Sequence, residues 1–256
     1  MPGDHSSVIG YVPANQKLAG RPILDLTKVP PPLRGADGVR RVAGIDVSHH
    51  QEAVDWEKVA EAGVQFAFIK ATEGRNKPDR LFEENWGQAD EAGLFTGAYH
   101  FMRSTTGGKD QAKRFLDAVA DHYDTDRALP PVLDLEAAGL KEENILIWLD
   151  EVRRELGWTP LVYLNFDFAT RYSFARTTVG AFPLWFAQYP LRFRDNGRPV
   201  EPLHMSEQKT WKDWAFWQFS ETGNVPGIDG YVDLDVFHGS LADLEAWRSR
   251  LKNVPL

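Results

Sequence analysis

The sequence contains no cysteine. This absence excludes disulfide scaffolds, cysteine-ligated zinc, iron–sulfur clusters and thiol nucleophiles as explanations of its function. No apolar run approaches the roughly 20 residues that a membrane-spanning helix requires, so we do not expect membrane insertion. Positive charge is scarce, because 29 basic residues face 37 acidic ones for a formal charge of −8. A nucleic-acid-binding protein needs a basic face, so we expect no nucleic acid partner.

Aromatic residues are plentiful by contrast, at 12% of 256 residues with nine Trp among them. Such rings fill protein cores, and they also stack on the apolar faces of sugars, so both interpretations stay open. The hydrophobic and charged fractions, 43% and 26%, are ordinary for a folded globular protein. The length suits one large α/β barrel as well as it suits two smaller domains.

The N-terminal segment differs in composition from the rest of the chain. Three consecutive prolines at 30–32 and glycines at 35 and 38 prevent a continuous helix or central strand there. We therefore interpret residues 1–40 as an extension and residues 41–256 as the folded domain. The segment from Met1 to Leu18 lacks a basic start followed by an apolar stretch, so we expect no export signal within this chain.

From Arg41 onward, short β-branched and aromatic segments alternate with helical segments that end at glycine. The pattern predicts strands over 42–47, 64–71, 95–101, 131–136, 161–164, 184–188, 215–219 and 231–237. It predicts helices over 55–62, 81–92, 109–119 and 142–156, and another that begins at Ser240. Because the early strands are each followed by a helix, we expect parallel βαβ units closed into a single irregular, TIM-like α/β barrel. The helical pattern fades between the fifth and eighth strands, which predicts an incomplete helical shell.

Polar side chains collect where the predicted strands end, which is where barrels of this kind carry their active sites. Charged groups are rare in cores, so acids embedded in apolar strands need a reason. In the segment 132–136, Asp134 and Glu136 alternate with apolar residues, so they share one side of the strand with Cα atoms roughly 6.6–6.8 Å apart. Two carboxyls this close ionise unequally, and we expect one pKa to rise and the other to stay low, as in a glycosidase.

The last predicted strand repeats this pattern with Asp233 and Asp235. Strand-end acids that serve only as partners of arginines or helix N-termini remain an alternative explanation for each pair taken alone. Two such pairs together with Asp46 favour a chemical role.

The strand motifs, taken together and in order, resemble those of glycoside hydrolase family 25, the Chalaropsis-type muramidases. The resemblance covers about residues 41–240 and is specific as a set, although each motif alone would be weak. The matching segments are 44–51, 55–56, 68–74, 97–101, 131–136, 184–189, 217–220 and 232–237.

The resemblance implies hydrolysis of the β-1,4 bond between N-acetylmuramic acid and N-acetylglucosamine, with retention of configuration and, by preference, substrate assistance. By position, Glu136 is similar to the family's general acid, Asp134 to the acid beside it, and Asp46 and Asp233 to two further acids of the cleft. We expect peptidoglycan glycan strands as the partner, a monomer, no cofactor and no metal ligands. We also expect a protein that is secreted or otherwise delivered to the cell wall.

Ten further residues at the strand ends are candidates for substrate binding. They are Lys70, Glu73, Tyr99, His100, Tyr163, Trp185, Gln188, Tyr189, Gln218 and Asp235. Two positions depart from the commonest family pattern, since Asp235 stands where Asn is usual and Leu164 where Thr is more frequent.

Two other functions remain open at this point. A metal-dependent polysaccharide or amide hydrolase would use the same acids with His49 and His50 as ligands, but the sequence lacks the spacing of known metal motifs. A sugar-binding barrel without catalysis is the other alternative. The presence of both Asp134 and Glu136 counts against it, because binding alone needs no such costly pair.

Overall fold

A computed structural model describes residues 38–76, 78–171, 178–189, 202, 205 and 210–252. Within them eight strands form a closed barrel in which each strand pairs with its neighbours in chain order. The strands are β1 Val42–Val47, β2 Phe66–Glu73, β3 Phe95–Phe101, β4 Val132–Asp134, β5 Leu161–Asn165, β6 Leu184–Ala187, β7 Phe216–Gly223 and β8 Val232–Phe237. All eight predicted strands are present, and the predicted barrel is confirmed. The predicted extension, residues 1–40, lies almost wholly outside the described residues.

The direction of β8 differs from the expectation. The seven strands β1 to β7 run parallel, whereas β8 is antiparallel to both β7 and β1. The parallel arrangement expected from the early strands therefore does not extend to β8. The physical reason is the short connection from Gly223 to Val232, because a parallel return requires a crossover of a dozen residues or more. As a result, the start of β8 lies at the same end of the barrel as the ends of β1 to β7.

Six helices are described around the barrel. They are α1 Trp56–Glu61, α2 Phe82–Glu91, α3 Gly108–Val119, α4 Glu142–Leu156, α5 Phe166–Arg171 and α6 Leu241–Leu251. Short polar signals fix their ends: Asp55 accepts a hydrogen bond from the Lys58 N–H, and Gly157 ends α4 with φ of 68°. The sequence did not predict α5, which has six residues.

The shell is incomplete, as expected, because β7 leads into β8 without a helix between them. None of the described helices is both long and apolar enough to cross a membrane.

The barrel interior is filled with aromatic rings near its closed end. Phe68 stacks on Trp185 with ring centroids 4.5 Å apart, and it meets the edge of Phe216 at 5.0 Å. Close packing depends on a missing side chain: a Cβ atom at Gly97 would lie within 2.6 Å of the Phe68 ring. Trp247 of α6 packs against Phe216 and closes this end of the barrel.

Side chains that point into the barrel change from apolar to polar along the strands. On β2, Phe68 is followed two residues later by Lys70, and on β7, Phe216 is followed by Gln218. Because alternate residues share one face of a strand, the polar members of each series gather at the open end. The site described below therefore lies opposite the end that α6 closes.

We predict that Gly97→Ala lowers the free energy of unfolding by about 1–3 kcal/mol, because the added methyl group forces the Phe68 ring out of its packed position. The matched control is Gly87→Ala in α2, where nothing lies within 4 Å of the new Cβ atom. The control should leave stability unchanged or raise it by up to about 1 kcal/mol. Urea unfolding of both variants measures the difference, and equal stabilities would contradict this account of the interior.

Candidate active site

A cavity of about 380 Å³ opens at the polar end of the barrel. Ten of the fourteen predicted site residues line it, and they come from eight segments of the chain, one at each strand. These ten are Asp46, Lys70, Tyr99, Asp134, Glu136, Tyr163, Trp185, Tyr189, Gln218 and Asp233. The four that do not are Glu73, His100, Gln188 and Asp235.

Gln218 connects two walls of the cavity. Its Oε1 atom accepts hydrogen bonds from the hydroxyl groups of Tyr163 and Tyr189, at 2.9 and 2.7 Å. Its Nε2 atom donates to Asp46 Oδ2 at 2.6 Å. Because both phenols engage the amide oxygen, the amide N–H is directed at the Asp46 carboxyl. Gln218 is almost fully buried, so this network holds Asp46 in one orientation.

Three carboxyls lie next to one another across β1 and β8. Asp46 is paired with Asp233 in the strand register, and Asp235 is paired with Gly44. The three side chains therefore lie on the same face of the two strands, with Asp233 directly opposite Asp46 and Asp235 diagonally opposite it. Burial, followed by the charge of Asp46, raises the pKa of Asp233 to about 9. Burial also raises the pKa of Asp46 and of Asp235 well above the usual range for an aspartate, with carboxylate repulsion adding to it.

Asp235, which we expected at the substrate, lies beneath the floor of the cavity and is not among the residues that line it. Only 1% of its surface is exposed, and Trp185 Nε1 donates to its Oδ1 atom at 2.8 Å. The same bond fixes the Trp185 indole, which is almost fully buried and packs against Phe68.

Asp134 and Glu136 occupy the opposite wall, at the end of β4. Asp134 is buried, and none of the described residues donates a hydrogen bond to its Oδ1 atom. Glu136 lies at the mouth of the cavity, where Asn165 Nδ2 donates to its Oε1 atom at 2.9 Å. Asn165 is itself held in place because its Oδ1 atom accepts the Phe168 N–H at the start of α5.

The pKa values of this pair are both raised. Burial is the largest cause for Asp134, followed by the Glu136 charge, while Lys70 opposes the shift. For Glu136 burial also raises the pKa, the Asn165 hydrogen bond lowers it, and the charge of Glu221 raises it further. The expectation that one pKa rises while the other stays low is therefore wrong, because burial raises both.

Lys70 is the one lysine or arginine among the described residues that line the cavity. Its Nζ atom lies 2.6 Å from Glu73 Oε2, and Arg103 Nη2 lies 2.6 Å from Glu73 Oε1. Both cations lie over the Phe101 ring. Glu73 is thus occupied by two ion pairs, so it positions Lys70 instead of lining the cavity as expected.

His100 lies on the helix side of β3, away from the cavity. Its ring contacts Thr72 Oγ1 at 2.7 Å and Gln111 Oε1 at 3.1 Å, and it stacks on Trp148. Burial lowers its pKa to about 4, so it packs as a neutral side chain. The expectation of substrate contact is wrong, since alternation along β3 points Tyr99 inward and His100 outward.

The backbone of Gln188 forms two hydrogen bonds with residues of β7. Its N–H donates to the Gln218 carbonyl at 3.0 Å, and its carbonyl accepts from Trp217 Nε1 at 2.9 Å. It is not among the cavity-lining residues, so the expectation of substrate contact is not met there.

The cavity is also lined by residues that the sequence analysis did not select as site residues, and Glu221 is the acidic residue among those described. The register of β7 against β8 shifts between Gln218 and Ser220 and again before Gly223. Because of these irregularities, alternation counted from Gln218 does not reveal which later side chain reaches the cavity. A polar residue beyond the predicted strand end at 219 was the one available signal.

The two histidines that the metal-dependent alternative would use as ligands, His49 and His50, have different surroundings. His49 Nδ1 lies 2.5 Å from Asp79 Oδ2, whereas His50 lines the cavity. In the part of the chain that the structure describes, no group of three or more His, Asp or Glu side chains is arranged to hold a metal ion.

Comparison with known proteins gives consistent matches. Residues 45–228 match the family model described as glycosyl hydrolases family 25. The chain is 36% identical over 227 residues to YegX of Escherichia coli K12, covering 84% of this chain and 76% of that protein. It is 35% identical over 222 residues to Lysozyme M1 of Streptomyces globisporus, covering 80% of this chain and 70% of that protein. A solved structure of the bacterial lysozyme from Streptomyces coelicolor superposes with a TM-score of 0.68 and 32% identity, covering 82% and 98%.

The family match includes the ends of β1 to β7, which together build most of the cavity. The relatives and the solved structure agree with it in both sequence and fold. The chain therefore belongs to glycosyl hydrolase family 25, and it is a glycoside hydrolase of the lysozyme and muramidase type.

Proposed function

We propose that this chain cleaves the β-1,4 bond between N-acetylmuramic acid and N-acetylglucosamine in peptidoglycan strands, with retention of configuration. The observation that carries the proposal is the pair Asp134 and Glu136, whose carboxyls meet one cavity in different surroundings. One is enclosed without a donor at Oδ1, and the other is held at the mouth by an amide. Glycosidases use two carboxyls in unequal environments as proton donor and anion.

Glu136 is the proton donor in this proposal. Its position at the mouth suits access to the glycosidic oxygen between two bound sugars, and its raised pKa keeps it protonated at mildly acidic pH. The Asn165 amide fixes its Oε1 atom, which leaves Oε2 for the transferred proton. Family position and geometry therefore support the same residue.

Asp134 is assigned to the anomeric side of the bond. We favour a route in which the substrate's own 2-acetamido oxygen attacks the anomeric carbon, while Asp134 stabilises the positive charge that develops on the acetamido nitrogen. Its buried Oδ1 atom has no donor among the described residues, and an acetamido N–H would supply one. Such a bond, together with Lys70, favours the ionised form of Asp134 once substrate is bound.

Sugar stacking is assigned to Tyr189. It is the most exposed of the described Tyr, Trp and Phe residues that line the cavity, with 40% of its surface exposed, whereas Trp185 and Tyr163 are buried in the barrel. Its hydroxyl is anchored on Gln218, so the ring is presented in a fixed orientation. We further propose that residues 41–256 are the catalytic domain, acting as a monomer delivered to the cell wall.

Digestion of purified peptidoglycan tests the proposed function directly. Mass spectrometry of the fragments should find N-acetylmuramic acid at the new reducing ends, and NMR of fresh product should find the β anomer first. N-acetylglucosamine at the reducing ends, or release of free peptides, would contradict the proposal.

We predict that Glu136→Gln lowers turnover by at least about 10²–10⁴-fold, because the amide keeps the shape of the side chain and removes the transferable proton. Binding of peptidoglycan fragments should persist. The matched control is Glu143→Gln, an exposed position near the start of α4 that should hydrolyse at the normal rate. Near-normal turnover by Glu136→Gln would assign the acid to another residue.

The basic limb of the pH–rate profile should move in opposite directions in two variants. A general acid must be protonated, so activity falls as the pH rises through its pKa. Glu221→Gln removes a charge that raises the pKa of Glu136, and the limb should shift to lower pH. Asn165→Asp removes the amide donor and adds a like charge, and the limb should shift to higher pH. This variant keeps an acceptor for the Phe168 N–H. Shifts of the same sign would contradict the assignment of Glu136.

Labelling distinguishes the two routes for Asp134. If the acetamido group is the nucleophile, a thiazoline that mimics the cyclised intermediate should inhibit competitively, and an activated fluorosugar should leave Asp134 unmodified. Mass spectrometry of the treated protein makes the measurement. A sugar adduct on Asp134 would establish this residue as the nucleophile instead.

A further inference from the structure

The carboxyl beneath the cavity floor has one oxygen without a donor. Asp235 Oδ1 accepts the Trp185 N–H at 2.8 Å, but its buried Oδ2 atom receives no hydrogen bond from any described donor. Because Asp235 is paired with Gly44, the carboxyl of Asp46, two residues farther along β1, is its diagonal neighbour on the same face of the sheet. Two ionised carboxylates can only accept hydrogen bonds, so contact between them requires a proton on one of the two.

We propose that Asp235 and Asp46 share one proton at neutral pH, and that Asp235 is a positioning residue that holds Asp46 at the cavity floor through this bond. Gln218 holds the same carboxyl from the other side, through its amide N–H at Asp46 Oδ2. Asp46 is thus fixed between an amide donor and an acid, and both of its partners are buried.

The surrounding charges favour retention of this proton. The titratable or charged groups that line the cavity together with Asp46 are Lys70 on β2, Tyr99 on β3, Asp134 and Glu136 from β4, Tyr163 on β5, Tyr189 after β6, Glu221 on β7, Asp233 on β8, and His50. Four of these are carboxyls, and the Lys70 ammonium is already paired with Glu73. A buried double negative charge at Asp46 and Asp235 would therefore lack a compensating cation, which makes the protonated pair the more stable form.

The shared proton has a consequence for folding that does not depend on activity. An unfolded aspartate has a pKa near 3.9, so it releases the proton above that pH, whereas the native pair retains it. Unfolding then releases one proton, and the unfolding equilibrium constant rises by about tenfold per pH unit from this pair. Stability contributed by the pair is present at acidic pH and is lost as the pH rises through the native pKa.

The first experiment compares wild type with Asp235→Asn by urea unfolding between pH 5 and 8. The asparagine amide can donate a hydrogen bond to Asp46 without the shared proton. The contribution of the pair, a rise of about tenfold per pH unit in the unfolding equilibrium constant, should therefore be absent from this variant. Asp150→Asn makes the same side-chain change at an exposed position on α4 and should leave the dependence unchanged. Equal slopes for wild type and Asp235→Asn would overturn the proposal.

Infrared spectroscopy at pH 7 provides an independent measurement. Wild type should show the C=O stretching band of protonated carboxylic acid, and this band should lose the intensity of one group in Asp235→Asn. Identical bands in the two proteins would place the proton elsewhere and overturn the proposal.

The positioning role rests on the proposed hydrolysis and is tested separately by activity. At mildly acidic pH, Asp235→Asn should keep turnover within about tenfold of wild type. Asp235→Ala, which cannot bind Asp46, should lose on the order of 10²-fold through misplacement of that carboxyl. Equal turnover in the two variants would overturn the positioning role. If Asp235→Ala does not fold, loss of turnover in Asp235→Asn would overturn the positioning role instead. If the wild type itself shows no activity, only the proposed function is contradicted, because the shared proton is tested by unfolding and infrared spectroscopy.

Discussion

The antiparallel pairing of β8 with β1 is the constraint on which the rest of the site depends. It closes the barrel, and it turns the start of β8 toward the same end as the carboxyl ends of the parallel strands. Had β8 run parallel, Asp233 would lie nearer the closed end, where aromatic rings fill the interior. The reversal instead places Asp233 beside Asp46 and sets Asp235 one layer below, opposite Gly44. One short connection between β7 and β8 therefore determines how many carboxyls the cleft contains.

Bringing these acids together is costly, and the barrel offsets the cost mainly with neutral donors. Gln218 and Trp185 direct N–H groups at Asp46 and Asp235, while Lys70 supplies positive charge near Asp134. The donors are rigid because each belongs to a larger packed unit: two phenols hold Gln218, and Trp185 stacks within the aromatic interior. Packing at the closed end thus fixes the hydrogen bonds at the open end, which links the stability of the barrel to the geometry of its site.

The sequence predicts most of the fold and most of the cavity, and its failures have physical causes. The bounds of β1, β3 and α4 agree with the structure because alternation or helical periodicity stops sharply at each end. The direction of β8 was missed because its core, Val232 to Val236, reads the same in both directions. Glu221 was missed because register shifts in β7 break the alternation. His100 was misassigned although alternation with Tyr99 already indicated that it faces the helices.

The position of Lys70 makes the electrostatic environments of Asp134 and Asp46 different, and with them the roles that the two sides of the cleft can have. Asp134 lies on the side formed by β2 to β4, where Lys70 lowers its pKa against the effect of burial. Asp46 lies on the side formed by β1 and β8, where it accepts the Gln218 amide N–H and has two aspartates beside it on β8. Lys70 therefore offsets part of the cost of a negative charge on Asp134, whereas the partners named for Asp46 carry no positive charge. It follows that the β4 side is suited to stabilise the positive charge of a transition state, whereas the β8 side is suited to retain protons and to hold its carboxyls in place.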